Sequence, residues 1–367
     1  MKWLHPLVRS LLILILLTAV GCGDWSRRST SSGLMIEPAD AARLGYTVTW
    51  SAHLDIPRKH RLASATLLDD TLFTVEAPGN LCSAVSVRDG SVRWRKILGE
   101  ATENIYPPVR IEKNVYFNND TTFFTVSAHS GTLLAVSNLE HVVETGPVLM
   151  GHFAIFGGAD GTVYAHDVNT GYAKWAYLLT TGIVAPPVQS MQQNVFVADA
   201  DGVYASLQAQ TGELIFRGRT FGPITATPAS ARNGLYIASH DQSLYAINPV
   251  TGKDKWVYRT PVRLTQPPVA LGQSVFLPIP GHGLVALDER DGSERWKTDL
   301  DARAVHYEND RVLLHYPGGL RWVDEQTGRV IADAPTVPLQ EVIPLPDRQG
   351  LLIVSPKGRI HRLIPKQ

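Results

Sequence analysis

Few side chains in this sequence are spaced for chemistry. The two cysteines, Cys22 and Cys82, cannot build a four-thiolate zinc site or a disulfide-rich scaffold. Among the twelve histidines only His282, His306 and His315 form even a loose group, and their spacing is not that of metal ligands. Aspartates recur beside turn glycines, as in Asp199-Ala-Asp201-Gly202, but this string lacks the further oxygens and closing glutamate of a calcium loop. Their recurrence at one turn after another favours a hairpin role. No Gly-x-Ser-x-Gly, His-Glu-x-x-His or Gly-x-x-x-x-Gly-Lys-Ser/Thr string occurs. These residues point to no catalytic site and no metal. The chain is expected not to be an enzyme.

Composition narrows the remaining classes. The 367 residues carry 34 Lys+Arg against 34 Asp+Glu, so no basic excess marks a nucleic-acid binder. With 44% hydrophobic residues a large core is available, which excludes disorder. At the N-terminus, Lys2 and Arg9 precede the apolar run Leu11–Leu17, and no charge appears from Ser10 to Gly23. That run is too short for a spanning helix, which needs about 20 residues, and reads as a secretory signal. It ends in Thr18-Ala19-Val20-Gly21-Cys22, which resembles a bacterial lipobox with Ala at the position where Leu is commoner. The resemblance implies a signal peptide over 1–21 and a lipidated Cys22. The segment 22–44, Ser-rich between Asp24 and Gly33, is expected to be a flexible tether. Gly23 after the cysteine resembles the sorting pattern for the outer membrane.

The elements that must position everything else come from a repeat. Turn glycines stand at Gly90, Gly131, Gly171, Gly212, Gly252, Gly292 and Gly328, at spacings of 41, 40, 41, 40, 40 and 36. Asp120, Asp160, Asp201 and Asp241 share the period, as do Pro108, Pro147, Pro187, Pro228 and Pro268. A period near 40 filled with short β runs and tight turns signals a β-propeller of four-stranded blades. Seven units run from about Arg61 to Asp333. Two leftover pieces, Gly45–Trp50 and Leu351–Leu363, look like the outer and middle strands of one more blade. The expected fold is therefore all-β: a single eight-bladed propeller over 45–367, closed by pairing the N-terminal outer strand with the C-terminal strands.

Within the repeat, Ala165…Asp167…Thr170-Gly171…Trp175 recurs as Ala246…Asn248…Thr251-Gly252…Trp256 and as Ala286…Asp288…Asp291-Gly292…Trp296. This string resembles the tryptophan-docking motif of the pyrroloquinoline-quinone (PQQ) type of propeller repeat. It implies that Trp50, Trp94, Trp175, Trp256 and Trp296 dock between blades. Phe216 is a conservative departure, while Ala135 and Ala332 mark degenerate blades. The repeat also raises the alternative of a small-ligand or quinone-binding propeller, redox-active in its enzyme relatives. Such enzymes carry insertions for cofactor and calcium and often a vicinal cysteine pair; blades of about 40 residues and a lone Cys82 leave no room for these. No cofactor is expected, PQQ included.

Size, lipobox, blade number and repeat together resemble the BamB family of lipoproteins of the outer-membrane β-barrel assembly machinery. The resemblance implies a non-catalytic scaffold at the periplasmic face of the outer membrane, monomeric within a complex. Its partner would be a barrel-assembly subunit or another envelope protein, and an extended client could pair with an exposed strand. Arg61, Arg263-Leu264 and Arg303 each lie shortly before an inner strand, where loops face the mouth of the central channel, and are the expected partner contacts.

Overall fold

Short, β-branched and aromatic runs separated by glycine turns fold here into eight antiparallel sheets of four strands each. The computed structural model describes residues 33–346 and 349–366. Inner strands of consecutive blades touch one another from blade 2 round to blade 8, so the sheets stand in a ring. Blades are numbered here from Arg61 onwards. Blade 4 shows the burial logic. Its second and third strands (Asn194–Ala198 and Val203–Gln208) are buried nearly throughout, because neighbouring blades cover both of their faces. In its outer strand (Leu214–Arg219) only Phe216 is buried. The turn between the middle strands is held by Asp199, whose carboxylate accepts the N–H groups of Asp201 and Val203, with Gly202 at φ +87°.

Blade 8 is built from both ends of the chain. Tyr46–His53 pairs with Arg359–Pro365, from Tyr46 opposite Pro365 to His53 opposite Arg359. The expected eight-bladed closure is present, and it leaves no unpaired edge between the chain ends. Residues 35–44, expected to belong to a flexible tether, are packed instead. Met35, Ile36, Ala41 and Leu44 are at most 2% exposed, with Pro38–Arg43 forming one helical stretch between them. They pack on blades 7 and 8 against Leu313, Trp322, Leu351 and Leu363. The apolar residues of 34–44 are too few to signal an independent helix, and only the wedge between two blades gives them something to cover. Cys22, the signal segment and the tether up to residue 32 lie outside the described residues.

Rings lock blade to blade. The indole N–H groups of Trp50, Trp94, Trp175, Trp256 and Trp296 donate to the carbonyls of Val87, Ala128, Ala209, Glu289 and Glu325 of the next blade, at 2.9–3.1 Å. Each ring lies flat on that blade's turn glycine, so close that a Cβ on Gly90, Gly131, Gly212, Gly292 or Gly328 would come within 2.6 Å of it. Phe216 sits on Gly252 in the same way, at 2.5 Å. These glycines are also at φ near +70°, so both backbone and packing exclude a side chain. Gly292→Ala is expected to cost about 2–3 kcal/mol, from left-handed strain and overpacking together. A urea midpoint unchanged from the parent would refute the packing account.

Blade 7 is not as degenerate as Ala332 implied. Trp322, on the neighbouring third strand directly opposite Ala332, supplies the ring instead. It is fully buried and donates to the carbonyl of Leu44, in the segment that replaces the missing turn of blade 8.

Burial also sets a pH response. His361 is 2% exposed, its Nδ1 has no partner among the described residues, and burial, then Arg359, pushes its pKa down to about 4. Burial likewise lowers His166. The folded state therefore refuses a proton that the unfolded chain accepts near 6.5. Stability is complete above that value and falls as pH drops towards 4, by at most about 3 kcal/mol for His361. Denaturation at pH 7 and pH 4.5 should show this fall, and His361→Phe should flatten it.

Candidate functional site

The loops entering each inner strand share one end of the ring with the turns between second and third strands. Turn carboxylates brace these loops. Asp120 accepts the Tyr106 hydroxyl at 2.7 Å, and Asp199 accepts the N–H groups of Thr180 and Thr181. Asp241 accepts the N–H of Phe221 and the hydroxyl of Tyr245, whose pKa burial and this carboxylate push up to about 12, so it stays a donor. Asp120, Asp199 and Asp241 thus hold the loop end in shape, while the carboxylate of Asp201 stands free of any bond among the described residues.

Charge on this end is divided. The loops and turns of blades 2 to 5 (98–108, 119–121, 139–147, 158–161, 179–187, 199–202, 220–228 and 240–242) contain no Lys or Arg, yet expose Glu100, Glu140, Glu144, Asp160 and Asp201. Within that acidic half stand Phe221, 90% exposed, and Val142, 52% exposed. On the other side, Lys357 donates to the carbonyls of Arg58 and His60, gathering Arg58, Lys59, Arg61 and Lys357 where blade 8 meets blade 1. An acidic surface with isolated apolar side chains suits a cationic, partly apolar protein partner.

The expected contacts divide accordingly. Arg61 and Arg263 are exposed and neither guanidinium has a partner among the described residues. Arg303 is engaged, its Nη2 lying 2.8 Å from Glu341. Leu264 is a correction. It is 0% exposed and packs with Trp256, Val275 and Leu277, because the loop turns its apolar side chain into the blade. Arg303 does line a cavity of about 380 Å³ with Gln266, Asp301, His315, Tyr316 and Leu339. Burial and then the Arg303 charge lower His315 to about 4, so it faces that cavity as a neutral imidazole. His306 instead stacks edge-on to Trp322 at 6.0 Å.

Sequence reasoning missed the acidic half. The signal was present: projecting charges onto repeat positions separates the loops of one end from those of the other, and shows that these loops themselves lack Lys and Arg, with Arg217 and Arg219 reaching Thr180 and Asp201 only from the adjoining outer strand. The aspartates read as hairpin residues or, less well, as metal ligands, and neither reading asks where their charge collects. Among the described residues no group of three His, Cys, Asp or Glu side chains could hold a metal ion.

A family model described as the outer membrane protein assembly factor BamB matches residues 39–177 and again 178–312, well over half of the chain. The chain belongs to the BamB family. Among curated BamB proteins, that of Shewanella oneidensis is 24% identical over 243 residues, which are 56% of this chain and 59% of that protein. The chain thus spans about half the length of the curated BamB relatives it matches. The crystal structure of BamB from Moraxella catarrhalis superposes with a TM-score of 0.69 at 20% identity, over 87% of this chain and 99% of that one. A quinohemoprotein alcohol dehydrogenase from Pseudomonas putida HK5 reaches 0.68 at 13% identity, over 90% and 78%. Both likenesses are of fold, and BamB membership comes from the family match.

Proposed function

We propose that this protein is a non-catalytic, lipid-anchored scaffold that binds other envelope proteins during outer-membrane protein assembly, as its family's description indicates. The observation that carries the reading is the charge-divided loop end with its exposed Phe221. A broad rigid ring holds these loops in place, and no nucleophile, base and oxyanion donors converge among the described residues. Acylation of Cys22 would keep this surface at a membrane, since each buried methylene adds about 0.8 kcal/mol. No cofactor takes part.

Crosslinking the lipidated protein in native membranes, followed by mass spectrometry of what is captured, tests both parts. Recovery of an outer-membrane assembly subunit supports the role, and its absence overturns it. The double reversal Glu144→Lys/Asp201→Lys should reduce recovery at least tenfold and weaken its salt dependence. Neither side chain has a bonding partner among the described residues, so the fold should be unaffected. Arg263→Glu tests the cationic side in the same assay. Recovery unchanged by both variants would place the contact elsewhere.

A further inference from the structure

One docking slot in the ring is empty. Of the eight blade junctions, five hold an indole from the outer strand, one holds Phe216, and one holds Trp322 from the third strand. At the remaining junction, between blades 2 and 3, the ring position is Ala135. The outer strands of blades 1, 4 and 5 bury their ring residue and expose its flanks, whereas in the outer strand of blade 2 (Leu133–Asn138) Ala135 is itself exposed. The receiving half is nevertheless intact. Gly171 keeps the left-handed conformation at φ +79°, and nothing lies within 4 Å of where its Cβ would be. The carbonyl three residues before it, on Val168, matches the five that accept an indole N–H. It accepts no hydrogen bond among the described residues.

The surroundings of the slot are apolar on the blade 2 side, while on the blade 3 side Glu140 accepts the N–H of Ala173 at 2.9 Å, two residues beyond Gly171. The strand Leu133-Leu-Ala-Val-Ser-Asn138 has no charge, while the outer strand of blade 1 carries Arg93, Arg95 and Lys96, and that of blade 4 carries Arg217 and Arg219. Leu134, Val136 and Tyr172 beside the slot are 53%, 54% and 73% exposed. Exposed apolar residues gathered on one edge mark an interaction site more often than a free surface.

We propose that the shelf formed by Gly171, the Val168 carbonyl and the outer strand of blade 2 is a binding site for a tryptophan side chain presented by a partner polypeptide. The indole lies on Gly171 and donates its N–H to the Val168 carbonyl, repeating the contact that this ring makes five times within itself. Leu134 and Val136 cover the residues flanking that tryptophan. The polypeptide, rather than a free indole, is required because the shelf is open and one ring alone covers little of the exposed strand. This site is separate from the loop end and stands or falls independently of it.

The test uses the folded chain labelled for NMR, titrated with a blocked Thr-Val-Trp-Val-Thr pentapeptide, its Ala-centred counterpart, and N-acetyltryptophanamide. Saturable shifts confined to Gly171, Val168, Leu134 and Val136, at least tenfold tighter for the tryptophan peptide than for either control, support the proposal. Equal affinity for N-acetyltryptophanamide, or no shift at Gly171, overturns it. Ala135→Trp should fill the slot from within and weaken peptide binding at least tenfold. Gly171→Asn, which tolerates the left-handed backbone, should do the same should the first variant fold poorly. Ala332→Trp, at the junction already filled by Trp322, should bind like the parent. Binding that survives both blocking variants also overturns the proposal.

Discussion

Trp322→Ala is expected to lower the unfolding free energy by about 3–5 kcal/mol, the usual range for truncating a fully buried large aromatic. The ring lies where the chain must close on itself. It packs with Met35, Leu44, Leu313 and Leu363 and ties the third strand of blade 7 to the carbonyl of Leu44. Its loss empties the wedge and leaves that carbonyl without its donor. Trp322→Phe keeps most of the volume and loses the N–H, so about 1–2 kcal/mol is expected. Guanidinium unfolding of the three proteins gives the ranking. Limited proteolysis adds a local readout, because cleavage within residues 35–45 should accelerate in the alanine variant before the blades open. A loss below about 1 kcal/mol for Trp322→Ala would mean that closure rests on strand pairing alone.

Arg295→Met is expected to cost a similar amount, about 3–5 kcal/mol, by removing one partner of a buried ion pair. Glu325 is 1% exposed and accepts from Arg295 at 3.0 Å, from the Ser274 hydroxyl at 2.6 Å and from the Gln273 N–H. Arg295 also reaches Asp288 at 2.9 Å, whose carboxyl is held well below the usual range by Arg290 and Arg295. Methionine fills the space of the arginine stem but leaves the Glu325 carboxylate buried without its cation. The double variant Arg295→Met/Glu325→Leu should recover part of the loss, since replacing both members of a buried pair by apolar residues is often close to neutral. Thermal unfolding of the single and double variants decides it. A double variant no better than the single one would show that Ser274 and Gln273, left without an acceptor, dominate the cost. The network also carries Trp296, which docks on the backbone carbonyl of Glu325, so damage here should spread to the junction of blades 6 and 7.

Much of the fold was legible because each blade is specified locally. Thr-Gly and Asp-Gly turns, short β runs and an aromatic four residues after the glycine recur at a period of about 40, and each feature acts within a few residues of itself. The two leftover pieces could be joined because one had an outer-strand tryptophan and the other lacked an outer strand. The candidate contacts were less legible. Arg263 and Leu264 are neighbours in sequence, yet one is exposed and the other is 0% exposed, and no spacing rule says which way an irregular loop turns its side chains.

Sequence alone thus determined the class, the blade number, the closure and six of the seven positions that carry docking rings. These follow from turn chemistry and hydrophobic alternation, which act over short stretches of chain. Tertiary structure decided what depends on distant segments meeting. It put Trp322 where Ala332 could not serve, and turned residues 35–44 from tether into packing. It left Gly171 bare beneath Ala135, and collected the carboxylates of blades 2 to 5 on one end of the ring. The physical reason is common to all four. A side chain's partner across a blade junction lies some 30 or more residues away, so its contacts are set by the ring's geometry and not by its neighbours in sequence.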